Sequence, residues 1–302
     1  MEGPRKTTSK NQPLLDPQFM RRLEQLQIVS HKIFAGKFKG ERLSRRKGQS
    51  AEFADYKNYT IGDDLRFLDW SIYARLDKLF IKLFREEEDL DVTLLVDCST
   101  SMDWGEPNKF WYGRRLAAAM GYIALGNFDR VNLYGLTDRI NVSATGLRGR
   151  SQMHRILGFL QDLKPLGRSD LGEACRRFAI QHRRKGVVIL ISDFYDKGGY
   201  EEPVRYLLAS GADIYALQIL SPWEMKPELA GDLKLIDVED GDAAEVTVTA
   251  SLLASYKRTL NNFCRSLHDH CTARGITYLL TGTDVPAERL ILNYLRSRGL
   301  VK

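Results

Sequence analysis

No two cysteines stand at C-x-x-C spacing in this chain of 302 residues, and its four cysteines, Cys98, Cys175, Cys264 and Cys271, have no histidine at zinc-ligand distance. That argues against a thiolate metal site and against a disulfide framework, and leaves reduced thiols in a cytoplasmic protein as the expectation. No stretch approaches the roughly 18 apolar residues of a membrane span. The opening MEGPRKTTSKNQ also lacks the apolar core of a signal peptide. A Gly-x-Ser-x-Gly elbow and a phosphate-cradling P-loop are both missing. The five histidines, His31, His154, His182, His268 and His270, form no catalytic or zinc pattern. There is no internal repeat and no low-complexity tract.

The composition that remains is ordinary for a folded protein, 43% hydrophobic and 28% charged. Its net charge of +6 is unevenly placed: residues 1–50 hold twelve Lys or Arg against four Asp or Glu, and the rest holds 33 against 35. Only the N-terminal arm, with Lys37, Lys39, Arg42, Arg45, Arg46 and Lys47, therefore invites an anionic partner. Phe34 and Phe38 are its nearby aromatics and no nucleic-acid motif accompanies them, so specific nucleic-acid binding is not expected.

Along the chain, Phe19, Leu23, Leu26 and Ile33 recur at near-helical spacing and predict a first helix within residues 14–34. Asp63 or Asp64 can cap a second, with Leu65, Leu68, Ile72 and Leu76 on one face and Trp70 as a core residue anchoring the segment. Alternation from Leu79 to Phe84 suits a strand, followed by an acidic turn, Glu86 to Asp89. From residue 90 strands and helices alternate. DVTLLVD, RVNLYGLTD, GVVILISDF, ADIYALQIL and ITYLLTGTD are apolar with little alternation, as a doubly covered parallel sheet requires. Leu116, Met120 and Ile123 mark the inward stripe of the first covering helix, and a hairpin is expected around Asp240-Gly241. The fold predicted is an α/β, doubly wound, mostly parallel sheet over residues 90–302, preceded by a helix-and-strand extension over residues 1–89.

The first of these strands ends in Asp97-Cys98-Ser99-Thr100-Ser101-Met102, where three oxygen-bearing side chains alternate at a carboxyl strand end, the usual place for ligands in open α/β sheets. One carboxylate with two hydroxyls is the mixture that a hard divalent cation such as Mg²⁺ or Mn²⁺ accepts alongside retained waters. Two more oxygens stand at expected neighbouring loops, Ser169 before the helix LGEACRRFAIQH and Asp193 after GVVILISDF. Each residue also has a plainer reading. Ser99, Ser101 and Ser169 can be helix caps, and Asp193 a turn residue.

The trio Asp97, Ser99, Ser101, then Ser169 and Asp193, resembles in order the metal-ion-dependent adhesion site of von Willebrand factor A domains, with Ser169 where that family usually has Thr. The segment from Tyr59 to Trp70, with its Gly-Asp-x-x-Arg-x-x-Asp-Trp pattern, and the later ILSPWEMKPELAGDLKLIDVEDG resemble the bacterial family known as domain of unknown function fifty-eight. This second resemblance spans roughly residues 14–300. The resemblances imply a von Willebrand factor A-like fold, a Mg²⁺ or Mn²⁺ cofactor, and a protein partner offering a carboxylate, with a MoxR-type AAA+ ATPase as the expected companion. They imply no enzyme. The competing readings are a hydrolase or phosphatase using Asp97 as nucleophile, although Ser99 stands where its second acid belongs, and anionic-polymer binding through the basic arm.

Overall fold

The computed structural model describes residues 13–28, 52–61, 63–85, 90–136, 140–165, 167, 170–182, 186–229, 231–236, 243–297 and 299–301. The basic stretch Lys37 to Lys47, the acidic turn Glu86 to Asp89, the hairpin turn at Asp240-Gly241, and Ser169 lie outside the described residues.

Asp16 caps helix α1 (Pro17–Leu23), accepting from the Phe19 N–H, and Pro17 fits the first helical position. The helix is shorter than expected. Leu26 and Ile28, two residues apart, are both buried, and Ile28 pairs with Val301 across an isolated bridge. Extended chain points both the same way, which a helix does not.

Residues 38–89 form one compact unit and the remainder a second. In the first, strands β1 (Glu52–Asn58) and β2 (Phe80–Arg85) pair antiparallel. The single helix expected here is broken into a 3-10 turn, Leu65–Phe67, capped by Asp64, and helix α2 (Trp70–Leu76), capped by Asp69. Leu68 lies extended between them and bridges to Ile81, so the two are buried together. Asp69 accepts from the Ser71 and Ile72 N–H groups, from the Tyr56 hydroxyl at 3.1 Å, and from Lys82 at 3.0 Å. These contacts, led by Lys82, draw its carboxyl down to about 2. The Arg66 guanidinium pairs with Asp64. Trp70 does not anchor a core: it is 64% exposed and sits edge-on to Tyr73.

The larger unit carries the sheet. Strands β3 (Asp91–Asp97), β4 (Arg130–Leu136), β5 (Ile140–Leu147), β6 (Val187–Ser192), β7 (Asp213–Leu220) and, last in sequence, β10 (Thr277–Gly282) lie in the order β10-β7-β6-β3-β4-β5. All neighbours run parallel except β5, which pairs antiparallel with β4. The hairpin strands β8 (Gly231–Ile236) and β9 (Ala243–Val248) form a separate pair. This is a doubly wound α/β domain with a mostly parallel sheet.

Near-continuous apolar strands explain its two faces. Val92, Leu94 and Val96 of β3 face one core with helix α3 (Lys109–Gly126), helix α4 (Met153–Asp162) and Phe19 and Leu23 of α1. Leu95 faces the other, with helices α5 (Leu171–Gln181), α6 (Glu201–Ala209) and α8 (Ala250–Thr272), the helical turn α7 (Pro222–Met225) coming between α6 and α8 in sequence. Helix α1 thus belongs with the sheet, whereas the sequence grouped it with the extension. Among the described residues no helix is long and apolar enough to cross a membrane. Strand order reverses between β3 and β6, and at such a switch point the connections leave to opposite sides and open a crevice at the carboxyl ends.

Candidate metal centre

Asp97 ends β3 and Asp193 follows β6, so the two carboxylates stand side by side at that switch point. A carboxylate at a strand end can face solvent, but these two are buried, with 3% of Asp97 and 1% of Asp193 exposed. Every buried carboxylate oxygen then needs a donor. Asp97 Oδ1 accepts the Ser99 N–H at 2.9 Å, and Oδ2 accepts the Ser192 hydroxyl at 2.5 Å. Asp193 Oδ1 accepts the Tyr195 N–H at 3.0 Å. Phe194 adopts φ 62°, a strained conformation for a bulky residue, held by its buried ring and by its N–H bond to Ser192 Oγ at 2.8 Å.

The hydroxyls are placed by a short turn. Ser99 is extended and begins the 3-10 turn Thr100–Met102, but its side chain makes no capping bond; Ser99 Oγ and Ser101 Oγ instead lie 2.9 Å apart. The cap of α3 is Asn108 and that of α5 is Asp170. Capping therefore does not account for Ser99 and Ser101. Thr100 donates twice to the Gly167 carbonyl, from its N–H at 3.1 Å and its hydroxyl at 2.9 Å, tying this turn to Gly167. No side-chain geometry is assigned to Ser169 itself.

Three residues that sequence reasoning did not single out complete the surroundings. Ser192 links Asp97 to the Phe194 turn, as described. Lys109, in the first turn of α3, has no solvent exposure; its Nζ lies 2.7 Å from Asp193 Oδ2, 2.6 Å from Glu224 Oε1 and 5.3 Å from the centre of the Tyr195 ring. Glu224 belongs to α7, where its other oxygen accepts the Ser221 N–H in a capping box. A signal for Lys109 was present: the stripe of Leu116, Met120 and Ile123, continued back by steps of three and four, passes through Gly113 and reaches Lys109. An ideal Cβ on Gly113 would lie 3.2 Å from Ile191, so this face does look onto the sheet.

The charges are unequal. Desolvation raises the Asp97 carboxyl well above the usual carboxylate range, and the negative charge of Asp193 raises it further. Burial works against the Lys109 ammonium, but Asp193 and Glu224 outweigh it and hold the amine above its ordinary value. Two carboxylates, Asp193 and Glu224, share the Lys109 ammonium, and Asp97 feels the charge of Asp193 without an ammonium of its own. A divalent cation fits this donor set: Asp97, Ser99, Ser101 and Asp193 offer two carboxylates and two hydroxyls, and the repulsion that lifts Asp97 is what such an ion relieves. Among the described residues no three His, Cys, Asp or Glu side chains cluster as a metal site, so an ion held here draws on hydroxyls.

Uncharacterized protein Rv1480 of Mycobacterium tuberculosis H37Rv is 26% identical over 248 residues, 80% of this chain and 78% of that protein. Uncharacterized protein MAV169 of Mycobacterium avium is 32% identical over 135 residues, 44% of this chain and 79% of that protein. Among solved structures, the conserved hypothetical protein BatB from Bacteroides thetaiotaomicron shares 15% identity at a TM-score of 0.40, over 69% of this chain and 98% of its own. Proximal thread matrix protein 1 from the mussel byssus, solved with a zinc-occupied MIDAS motif, shares 14% identity at a TM-score of 0.38, over 70% and 47%. At that level of likeness nothing about ligand or partner passes to this chain. The family described as protein of unknown function DUF58 matches residues 55–262, well over half of the sequence, and the chain belongs to it.

Proposed function

We propose that the chain is a metal-dependent protein-binding module, in which Asp97, Ser99, Ser101 and Asp193, joined by Ser169, hold a Mg²⁺ or Mn²⁺ ion and a carboxylate from the partner completes its shell. The observation that carries this reading is the convergence of two buried carboxylates and a bonded pair of serine hydroxyls at one strand edge. With only two carboxylates on it the ion keeps positive character and water-filled positions, which an acidic side chain can take. Trp104 and Trp223 support the same edge as an interface. Both are exposed, both follow carboxyl strand ends, and their loops touch where Gly105 abuts Ser221. Tryptophan is enriched among the residues that dominate binding energy. The companion, by family resemblance, is a MoxR-type AAA+ ATPase in complex assembly or maturation.

No catalytic role is assigned. A nucleophilic Asp97 needs a nearby acid two residues on, and Ser99 occupies that place. The test is capture of the ATPase by the full chain in EDTA, in EDTA followed by excess Mg²⁺, and by Asp97→Asn. Capture is expected to fail in EDTA, return with Mg²⁺ and fail again in the variant. Equal retention in all three puts the interface elsewhere, on the arm between Lys37 and Lys47 first of all.

A further inference from the structure

We propose that Lys109 is a built-in cation that sets which metal charge the site accepts. The proposal rests on the metal-binding reading above and adds to it a residue that is not a ligand. Lys109 lies wholly inside the protein, and its ammonium is shared by Asp193 at 2.7 Å and Glu224 at 2.6 Å. Asp193 is in turn coupled by charge to Asp97. With Asp97 ionised, as a bound cation requires, Asp97, Asp193 and Glu224 against Lys109 leave this network two negative charges in excess, the charge of one divalent cation.

Fixed charges in a dry site act strongly on an ion, and the number of ligand charges tunes cation affinity. Lys109 therefore offsets one of these negative charges and keeps the site from favouring trivalent ions, acting through Asp193 rather than as a ligand. It is a positioning residue as well, because it holds Asp193 Oδ2 against the base of the site while Tyr195 N–H holds Oδ1. Glu224 makes the same network reach into α7, the turn that carries Trp223.

The prediction is an ordered series in the ratio of Tb³⁺ to Mn²⁺ affinity, measured by titration of the full-length protein at one fixed pH. Glu224→Gln lowers the network charge to minus one, the wild type stands at minus two, and Lys109→Met reaches minus three. The double variant Lys109→Met/Glu224→Gln returns to minus two. The ratio is expected to fall about tenfold in Glu224→Gln, rise about tenfold in Lys109→Met, and return to the wild-type value in the double variant. An unchanged ratio in Lys109→Met, or a double variant that fails to return, overturns the proposal. If Lys109→Met does not fold, Glu224→Gln and the double variant still decide it. Wild-type protein that binds neither ion overturns the metal-binding reading along with it, whereas binding with a flat series overturns the role of Lys109 alone.

Discussion

The two edges of the same sheet both end apolar strands in clusters of polar side chains, yet they are balanced differently. At the amino edge, Asn132 donates to Asp91 and to Thr93 and accepts the Gly146 N–H at 2.9 Å. Arg130 lies 4.0 Å from the other Asp91 oxygen, and the Tyr134 hydroxyl bonds His182, whose ring stacks on Phe178. Most of the polar groups there bond one another, while His182 Nδ1 is buried without a partner among the described residues. At the carboxyl edge two carboxylates share one ammonium, and burial with the charge of Asp193 holds Asp97 well above its usual range. Surplus charge separates the edge that has work for a ligand from the one that fastens strands.

The sharpest way to break that contrast is to remove Asp193. Asp193→Ala leaves the buried Lys109 ammonium with Glu224 alone and is expected to destabilise the fold by about 3 kcal/mol, read as a shift in urea midpoint. It also removes divalent-cation binding. Had Asp193 faced solvent, as its place after a strand suggested, neither stability nor Lys109 would be affected; a variant as stable as wild type would restore that simpler picture.

A smaller effect carries its sign in pH. The Asp97 carboxyl is raised in the folded state, from 3.8 to about 7, so in that window the folded protein keeps a proton that the unfolded chain has released. In EDTA the stability contributed by this group is therefore present below about pH 4 and lost as pH rises through about 7. Asp97→Asn is expected to flatten that fall and to abolish the gain in thermal midpoint that Mn²⁺ gives wild type at pH 8. A wild-type midpoint in EDTA that rises from pH 5 to pH 8, with no difference from the variant, would mean the carboxylates are not coupled.

How much of this could be read from the residues varies with the kind of contact. The sheet was legible because β3, β6 and β7 are apolar on both faces, a pattern few other structures produce. The convergence of Asp97 and Asp193 was legible because the topology places their strands side by side. Leu68 was misread because helical period and burial competed, and pairing with Ile81 won. Trp70 was misread because an aromatic side chain says how much surface it can bury and nothing about whether a neighbour arrives to cover it. Lys109 escaped because a lysine on an inward stripe makes sense only once its partners are known, and Glu224 is 115 residues away.

The smallest expected effect belongs to the amino edge and tests the contrast from the other side. Tyr134→Phe removes the hydroxyl that bonds His182 but keeps the ring, which packs edge-on against Phe178. His182 already has its Nδ1 buried without a partner among the described residues, so its ring is held there by stacking on Phe178 as well as by the lost bond. The cost should then be that of one net hydrogen bond, about 1 kcal/mol in urea denaturation. Divalent-cation affinity should stay unchanged, because the Tyr134 hydroxyl bonds His182 rather than a residue of the metal centre and the substitution removes no charge. A variant that loses metal binding while keeping most of its stability would show the two edges to be coupled through β4, and would make surplus charge at one end a property of the whole sheet.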